Sequence, residues 1–298
     1  MQIPQSCHLC PRNCGFDRNR FLGRCKGGKF IKVARATLHH WEEPCISGTR
    51  GSGTVFFSGC SLHCCYCQNH QISFDGYGKE ISIEQLADIF LKLQQQKAHN
   101  INLVTAGHWA IWIVEALKLA KEKGLLLPVV YNTSSYETTE TIDLLSPYID
   151  IWLADIKYFS PICSEKYSNA KNYFRFAEKA ILKMFEHTPD CCWDTDNTLK
   201  KGIILRHLAL PGNIKDSKAI LNWIASLPKN KFLFSLMSQY TPCYQSTKYK
   251  ELSRKISTWE YKQLINTAYE LDLIQGYIQD KSSACIEYRP SFDLTGIL

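Results

Sequence analysis

Long apolar runs are missing from this sequence of 298 residues. The richest, Gly124-Leu-Leu-Leu-Pro-Val-Val-Tyr131, falls far short of the roughly 18 residues that a membrane span needs. The N-terminus, Met1-Gln-Ile-Pro-Gln-Ser-Cys7, lacks the basic stretch and apolar core of a secretory signal, so a cytoplasmic protein with no membrane partner is expected. No repeat of fixed period and no low-complexity tract is present, and disordered, collagen-like and coiled-coil chains are excluded by composition. Acidic residues are scarce in one place only. Residues 1–41 hold Arg12, Arg18, Arg20, Arg24, Lys26, Lys29, Lys32 and Arg35 against a single acid, Asp17, so the whole formal surplus of +7 lies there.

What is present is an ordinary core and an unusual number of thiols. Hydrophobic residues make up 45% and charged residues 21%, values of a soluble protein with a large interior. At roughly 150 residues per domain the chain could form two domains or one large α/β barrel. It has 14 cysteines, and cytosolic thiols stay reduced, which turns the expectation from disulfides to metal ligands. Cys7, Cys10, Cys14 and Cys25 crowd the start, and Cys60, Cys64, Cys65 and Cys67 crowd one loop. A disulfide framework would spread its cysteines to close long loops.

From about residue 50 the chain alternates short apolar runs with segments of helical period. Strands are predicted over 53–58, 101–105, 127–131, 149–154, 202–206 and 232–236, each a near-continuous apolar run suited to a parallel strand covered on both faces. Helices are predicted from Ser82, where Gln85 completes a capping box, and over about 109–123, 138–146, 165–186, 216–227 and 257–272. Six β/α units in order predict an α/β fold, a partial (β/α)6 TIM-like barrel with an open flank. Residues 1–50 read as a small Cys-rich, metal-binding N-terminal module and 51–298 as the barrel. The run Asp190-Cys-Cys-Trp-Asp-Thr-Asp-Asn197 lacks EF-hand spacing and reads as a solvated loop.

The sharpest motif follows the first predicted strand: Ser58-Gly-Cys60-Ser-Leu-His-Cys64-Cys65-Tyr-Cys67-Gln-Asn69. Cys60, Cys64 and Cys67 give C-x3-C-x2-C, and three thiolates can hold three irons of a [4Fe–4S] cluster while the fourth keeps no protein ligand. A structural site would close that position, as tetrahedral zinc sites do. The loop leaves the C-terminal end of a strand, where α/β barrels place their active sites. Cys65, between two ligands, reads as a bystander.

These residues resemble the radical S-adenosylmethionine superfamily, in its pyruvate formate-lyase-activating-enzyme-like branch. The likeness extends over Cys7-His-Leu-Cys10-Pro-Arg-Asn-Cys14-Gly, Trp41-Glu-Glu-Pro44, Tyr131-Asn-Thr-Ser134, Asp155-Ile-Lys157-Tyr158, Arg206-His-Leu-Ala-Leu-Pro-Gly212 and Gln239-Tyr-Thr-Pro242. It implies S-adenosylmethionine chelated to the open iron and split by one electron, giving methionine and a 5′-deoxyadenosyl radical that abstracts hydrogen. It implies cofactor binding by Tyr66, Gln68, Gly107, Asp155, Lys157 and Arg206, and no acid, base or nucleophile is singled out. Where the family usually has Gly-Gly-Glu, this sequence has Ala106-Gly107-His108, so His108 stands in place of the acid. His207 reads as a core histidine, and Tyr240 as either an adenosine neighbour or packing. The branch implies hydrogen abstraction from a glycine of a glycyl radical enzyme. Radical modification of a small molecule or RNA is the alternative enzyme reading, and a non-catalytic iron–sulfur electron carrier or binding module the non-enzymatic one.

Cys7, Cys10, Cys14 and Cys25 (C-x2-C-x3-C-x10-C) read as a second site, for zinc or a second [4Fe–4S] cluster in equal measure. His39, His40 and Cys45 nearby are assigned to packing, and Cys163, Cys191, Cys192, Cys243 and Cys285 to small apolar positions. The basic segment either balances the thiolates or docks a one-electron donor such as an acidic flavodoxin or ferredoxin. Nucleic acid is not an expected partner.

Overall fold

A computed structural model describes residues 3–280 and 290–297, so Cys285 lies outside the described residues. The strands are β1 (Ile31–His39), β2 (Ser52–Phe57), β3 (Lys79–Ile81), β4 (Ile101–Val104), β5 (Val129–Thr133), β6 (Ile151–Asp155), β7 (Cys192–Trp193), β8 (Leu199–Leu208), β9 (Leu233–Met237) and β10 (Gly276–Ile278). The helices are α1 (Pro44–Ser47), α2 (His70–Ser73), α3 (Ile83–Gln95), α4 (Ala110–Glu122), α5 (Thr139–Leu145), α6 (Pro161–Ser168), α7 (Tyr173–His187), α8 (Ile214–Ala225) and α9 (Thr258–Glu270). One sheet runs in the order β10-β9-β8-β6-β5-β4-β2-β1-β3, with β7 paired to β8 off that path.

The six predicted strands are β2, β4, β5, β6, β8 and β9, and every neighbouring pair among them is parallel. This is a mixed α/β fold around parallel strands, consistent with a partial barrel. Such strands are buried on both faces, and β2, β4 and β5 are buried along their whole length. The helices cover them with amphipathic faces: α3 turns Leu86, Ile89, Phe90 and Leu93 inward behind the Ser82–Gln85 capping box, and α9 repeats that box with Ser257 and Glu260.

Three features differ from expectation. The helix predicted over 165–186 is two helices, α6 and α7. Asn169 takes a left-handed conformation (φ 49°) that ends α6, and Pro161 behind the Ser160 cap starts it earlier. Second, β1 pairs antiparallel with both β2 and β3, so residues 31–39 belong to the sheet, and a boundary at residue 50 falls between two paired strands. A register irregularity between Val33 and Arg35 breaks the alternation of β1 and hides it from a period count. Third, Arg18, counted with the basic surface, is 1% exposed. The 190–197 run forms a turn after β7 in which the Asp194 carboxylate accepts from the Thr198 hydroxyl and the backbone N–H groups of Asp196 and Thr198.

Candidate functional site

At the C-terminal ends of the parallel strands lies a cavity of about 340 Å³. Cys60, Cys64, Tyr66, Cys67 and Gln68 of the loop after β2 form one wall, and Asp155, Lys157 and Arg206 from the ends of β6 and β8 form another. Tyr240 also lines the cavity, as do Glu42 and Glu43, just beyond β1. Cys65 is absent from this lining, buried instead beside Cys243, in keeping with a bystander.

The cysteine loop is anchored through its backbone. Cys60 donates its N–H to the Cys25 carbonyl (3.1 Å), Cys65 to Tyr167 O (2.8 Å) and Cys67 to Cys64 O (3.1 Å). Gly59 has a positive φ of 89°, and a β-carbon there would stand 2.2 Å from the Cys25 carbonyl oxygen. Only glycine admits this approach. The Arg12 guanidinium clamps the loop from the N-terminal side, donating to the carbonyls of Ser61, Ser168 and Asn169.

Two of the three thiols meet hydroxyls. Ser168 Oγ donates to Cys64 Sγ at 3.0 Å, and Ser73 Oγ stands 3.2 Å from Cys67 Sγ. Tyr158 OH lies 2.6 Å from Ser168 Oγ and 2.7 Å from Tyr66 OH, extending the chain of hydroxyls to the aromatic of the motif. Burial pushes the Cys60 and Cys64 thiols up and Cys67 to about 11, with the neighbouring thiols adding to the first and the last, while Lys157 counteracts in all three. Thiols so placed give up their protons to a bound cation. No three or more Cys, His, Asp or Glu side chains among the described residues form a cage for a single metal ion. Thiols that each hold a different iron of one cluster need not form one.

Asp155 and Lys157 do share a side, two residues apart on the emerging strand, and are paired at 2.8 Å. Burial opposes both charges. Arg206 and Lys157 nonetheless hold the Asp155 carboxyl below its usual range, and Asp155 and Cys64 hold the Lys157 ammonium above its own. Arg206 is nearly saturated within the protein: Nε donates to Asp155 (2.7 Å), Nη1 to Glu42 (2.9 Å) and Glu43 (3.3 Å), and Nη2 to Asn132 (2.8 Å). It therefore serves first to hold the wall together. Glu42 also accepts from Asn102 and Asn132. Burial raises the Glu43 carboxyl against the pull of Arg206.

Other expected residues fall elsewhere. Gly107 is buried and absent from the cavity lining, its Cα covered by the Glu137 carboxylate. His108 faces the back of the cysteine loop, with Nε2 2.9 Å from Ser58 O, and burial depresses it to about 3. His207 is a core histidine, held between Ile156 O (2.7 Å) and Ser217 Oγ (2.9 Å). Tyr240 is 1% exposed, donates to Leu252 O and meets Tyr66 edge-on, so packing and a cavity wall are one role. His39 packs edge-on to Phe56, and Cys45 is buried next to Tyr277.

Two groups were not foreseen as site residues. Glu42 and Glu43 stood only within a longer matching stretch; their signal is an acidic pair directly after a segment with one acid. Thr105, on the cavity wall, has φ 58°, a strained state for a β-branched residue that no sequence pattern announces.

The Radical SAM superfamily model matches residues 54–200, from β2 to the start of β8. An uncharacterised protein of Methanocaldococcus jannaschii is 28% identical over 282 residues, covering 91% of this chain and 77% of its own. The pyruvate formate-lyase-activating enzyme of Clostridium pasteurianum is 25% identical over 181 residues, 59% of this chain and 68% of its own. In fold, the crystal structure of a radical SAM methyltransferase from Sphaerobacter thermophilus matches with a TM-score of 0.50 at 12% identity, over 78% of this chain and 69% of that one. With three cysteines of a C-x3-C-x2-C loop walling one cavity at the strand ends, residues 54–200 belong to the Radical SAM superfamily, and the chain is similar to a pyruvate formate-lyase-activating enzyme.

Proposed function

We propose that this protein cleaves S-adenosylmethionine reductively at a [4Fe–4S] cluster held by Cys60, Cys64 and Cys67, and uses the radical for hydrogen abstraction. The observation that carries this reading is the sharing of one cavity by those three thiols, to the exclusion of Cys65. When bound, the cluster and S-adenosylmethionine supply an electron and a 5′-deoxyadenosyl radical. The chain's own residues do the rest. Ser168 and Lys157 place a donor and positive charge beside the thiolates, favouring their ionised form. Lys157, held charged by Asp155, is the cation of the wall with donors left for a carboxylate, while Tyr66 and Gln68 line the same wall. Arg206 fixes Asp155 and Glu42 so that the wall keeps its shape.

Relatedness to an activating enzyme supports a glycyl radical enzyme as the partner. A second reading, a small-molecule substrate, is favoured by Pro290 and Gln279 in the cavity wall. The described C-terminal segment that carries Pro290 is tied to β1 by the Arg35–Asp293 pair (2.7 Å) and by hydrogen bonds to Ala34 and Ala36. After anaerobic reconstitution and reduction, the protein should release 5′-deoxyadenosine and methionine. Alanine at Cys60, Cys64 or Cys67 should abolish this, and alanine at Cys65 should not. A Cys64→Ala protein that stays active would sink the reading.

A further inference from the structure

We propose that Cys7, Cys10, Cys14 and Cys25 hold a second thiolate-bound metal centre, outside the cavity, with Arg18 as its buried counter-cation. Residues 3–30 contain no helix or strand, yet they bury three of these thiols and half-bury Cys14. A segment this short has too little apolar area to fix such burial alone, and small modules of this kind use a metal as the staple.

Backbone hydrogen bonds fold the segment on itself, from Gly15 N–H to Cys7 O and from Asn13 N–H to Cys10 O. Arg18 touches two of the thiol sites: Nη1 stands 3.7 Å from Cys7 Sγ, and a β-carbon at Gly23 would lie 3.3 Å from Cys25 Sγ and 3.9 Å from Arg18 Cδ.

Arg18 is the independent sign. Its side chain is 1% exposed, and no carboxylate among the described residues pairs with it. Nη1 stands 3.7 Å from Cys7 Sγ and donates to His108 O, Nε donates to Gly28 O, and Nη2 has no partner. Gly27 leaves room for it, since a β-carbon there would lie 2.3 Å from Nη2. The faces of Trp109 and Trp112, 4.7 and 4.9 Å from the guanidinium carbon, offset part of its desolvation. A buried cation without an anion is costly, and a four-thiolate [4Fe–4S] cluster with net charge about −2 supplies that anion; since the described residues form no cage for a single ion, the cluster fits better than zinc.

The test uses the full chain with Cys60, Cys64 and Cys67 all changed to alanine, so that cleavage of S-adenosylmethionine plays no part and failure of the proposed activity leaves this result untouched. Purified without oxygen and reconstituted in parallel with zinc and with iron plus sulfide, it should hold about one zinc or about four irons per chain by elemental analysis. The better retained metal identifies the centre. Adding Cys10→Ser should release it. Adding Arg18→Gln instead should weaken the hold about 10- to 100-fold in chelator competition, the usual effect of removing a ligand's outer partner, with Arg18→Lys recovering part. A triple variant that is folded by circular dichroism and binds neither metal would overturn the proposal. An unchanged chelator competition in Arg18→Gln would remove Arg18 from it. If Cys10→Ser fails to fold, the metal content of the triple variant and the Arg18 pair still decide.

Discussion

Ser168, the last residue of α6, donates its hydroxyl to Cys64 Sγ across 3.0 Å, joining residues 104 positions apart. Hydrogen bonds to cluster sulfurs help to set reduction potential. Ser168→Ala should therefore keep its iron but lower the cluster potential, on the order of tens of millivolts, since 59 mV is tenfold for one electron. Redox titration followed by electron paramagnetic resonance reads this directly. An unchanged potential would mean that the hydroxyl serves only Tyr158.

Arg206→Met leaves the carboxylates of Asp155, Glu42 and Glu43 without their shared cation. Breaking a buried pair from one side costs about 3–5 kcal/mol. Urea unfolding should show a loss of that size, with a smaller one for Glu42→Gln, where Arg206 keeps Asp155. A loss below about 1 kcal/mol would show that the network is not a structural brace.

His207 gives a pH dependence. Burial depresses its pKa from 6.5 to about 4. Between those values the unfolded chain binds the proton more readily, so stability is full above pH 6.5 and falls as pH drops towards 4, by about 3 kcal/mol in total. Unfolding midpoints measured across this window should slope downward with acid. His207→Gln should flatten that slope, with the residue from His108 remaining, whose shift has the same sign.

Arg20, Arg24, Lys26 and Lys29 are exposed beside Phe16, Phe21, Leu22 and Phe30, a basic and apolar patch. Arg20→Gln, Arg24→Gln and Lys29→Gln together should slow flavodoxin-driven cleavage about 10-fold at low salt and little at high salt. Cleavage driven by dithionite should be unchanged. Equal rates with flavodoxin at low salt would leave the patch without a docking role.

The parallel core was legible because each of its strands is an apolar run flanked by helices of clear period. Cys60, Cys64 and Cys67 were legible because spacing within one loop survives folding. β1 was not, since its irregularity at Val33–Arg35 and its basic residues spoil the alternation. Glu42 and Glu43 gain their place from Arg206, and Arg18 loses its surface role to Trp109 and Trp112. No local pattern carries such distant contacts. His108 occupies the position of an acid in sequence but turns to Ser58, because the strand end directs it behind the loop rather than into the cavity.

Arg206 and Glu42 meet across 164 residues. The wall they form cannot exist until β8 has docked beside β6, and closing so long a loop is entropically uphill until the intervening strands have paired. During synthesis the cysteine loop therefore emerges well before the groups that will enclose it. The wall is assembled late, and Glu42 and Asp155 gain their shared cation only when β8 joins the sheet.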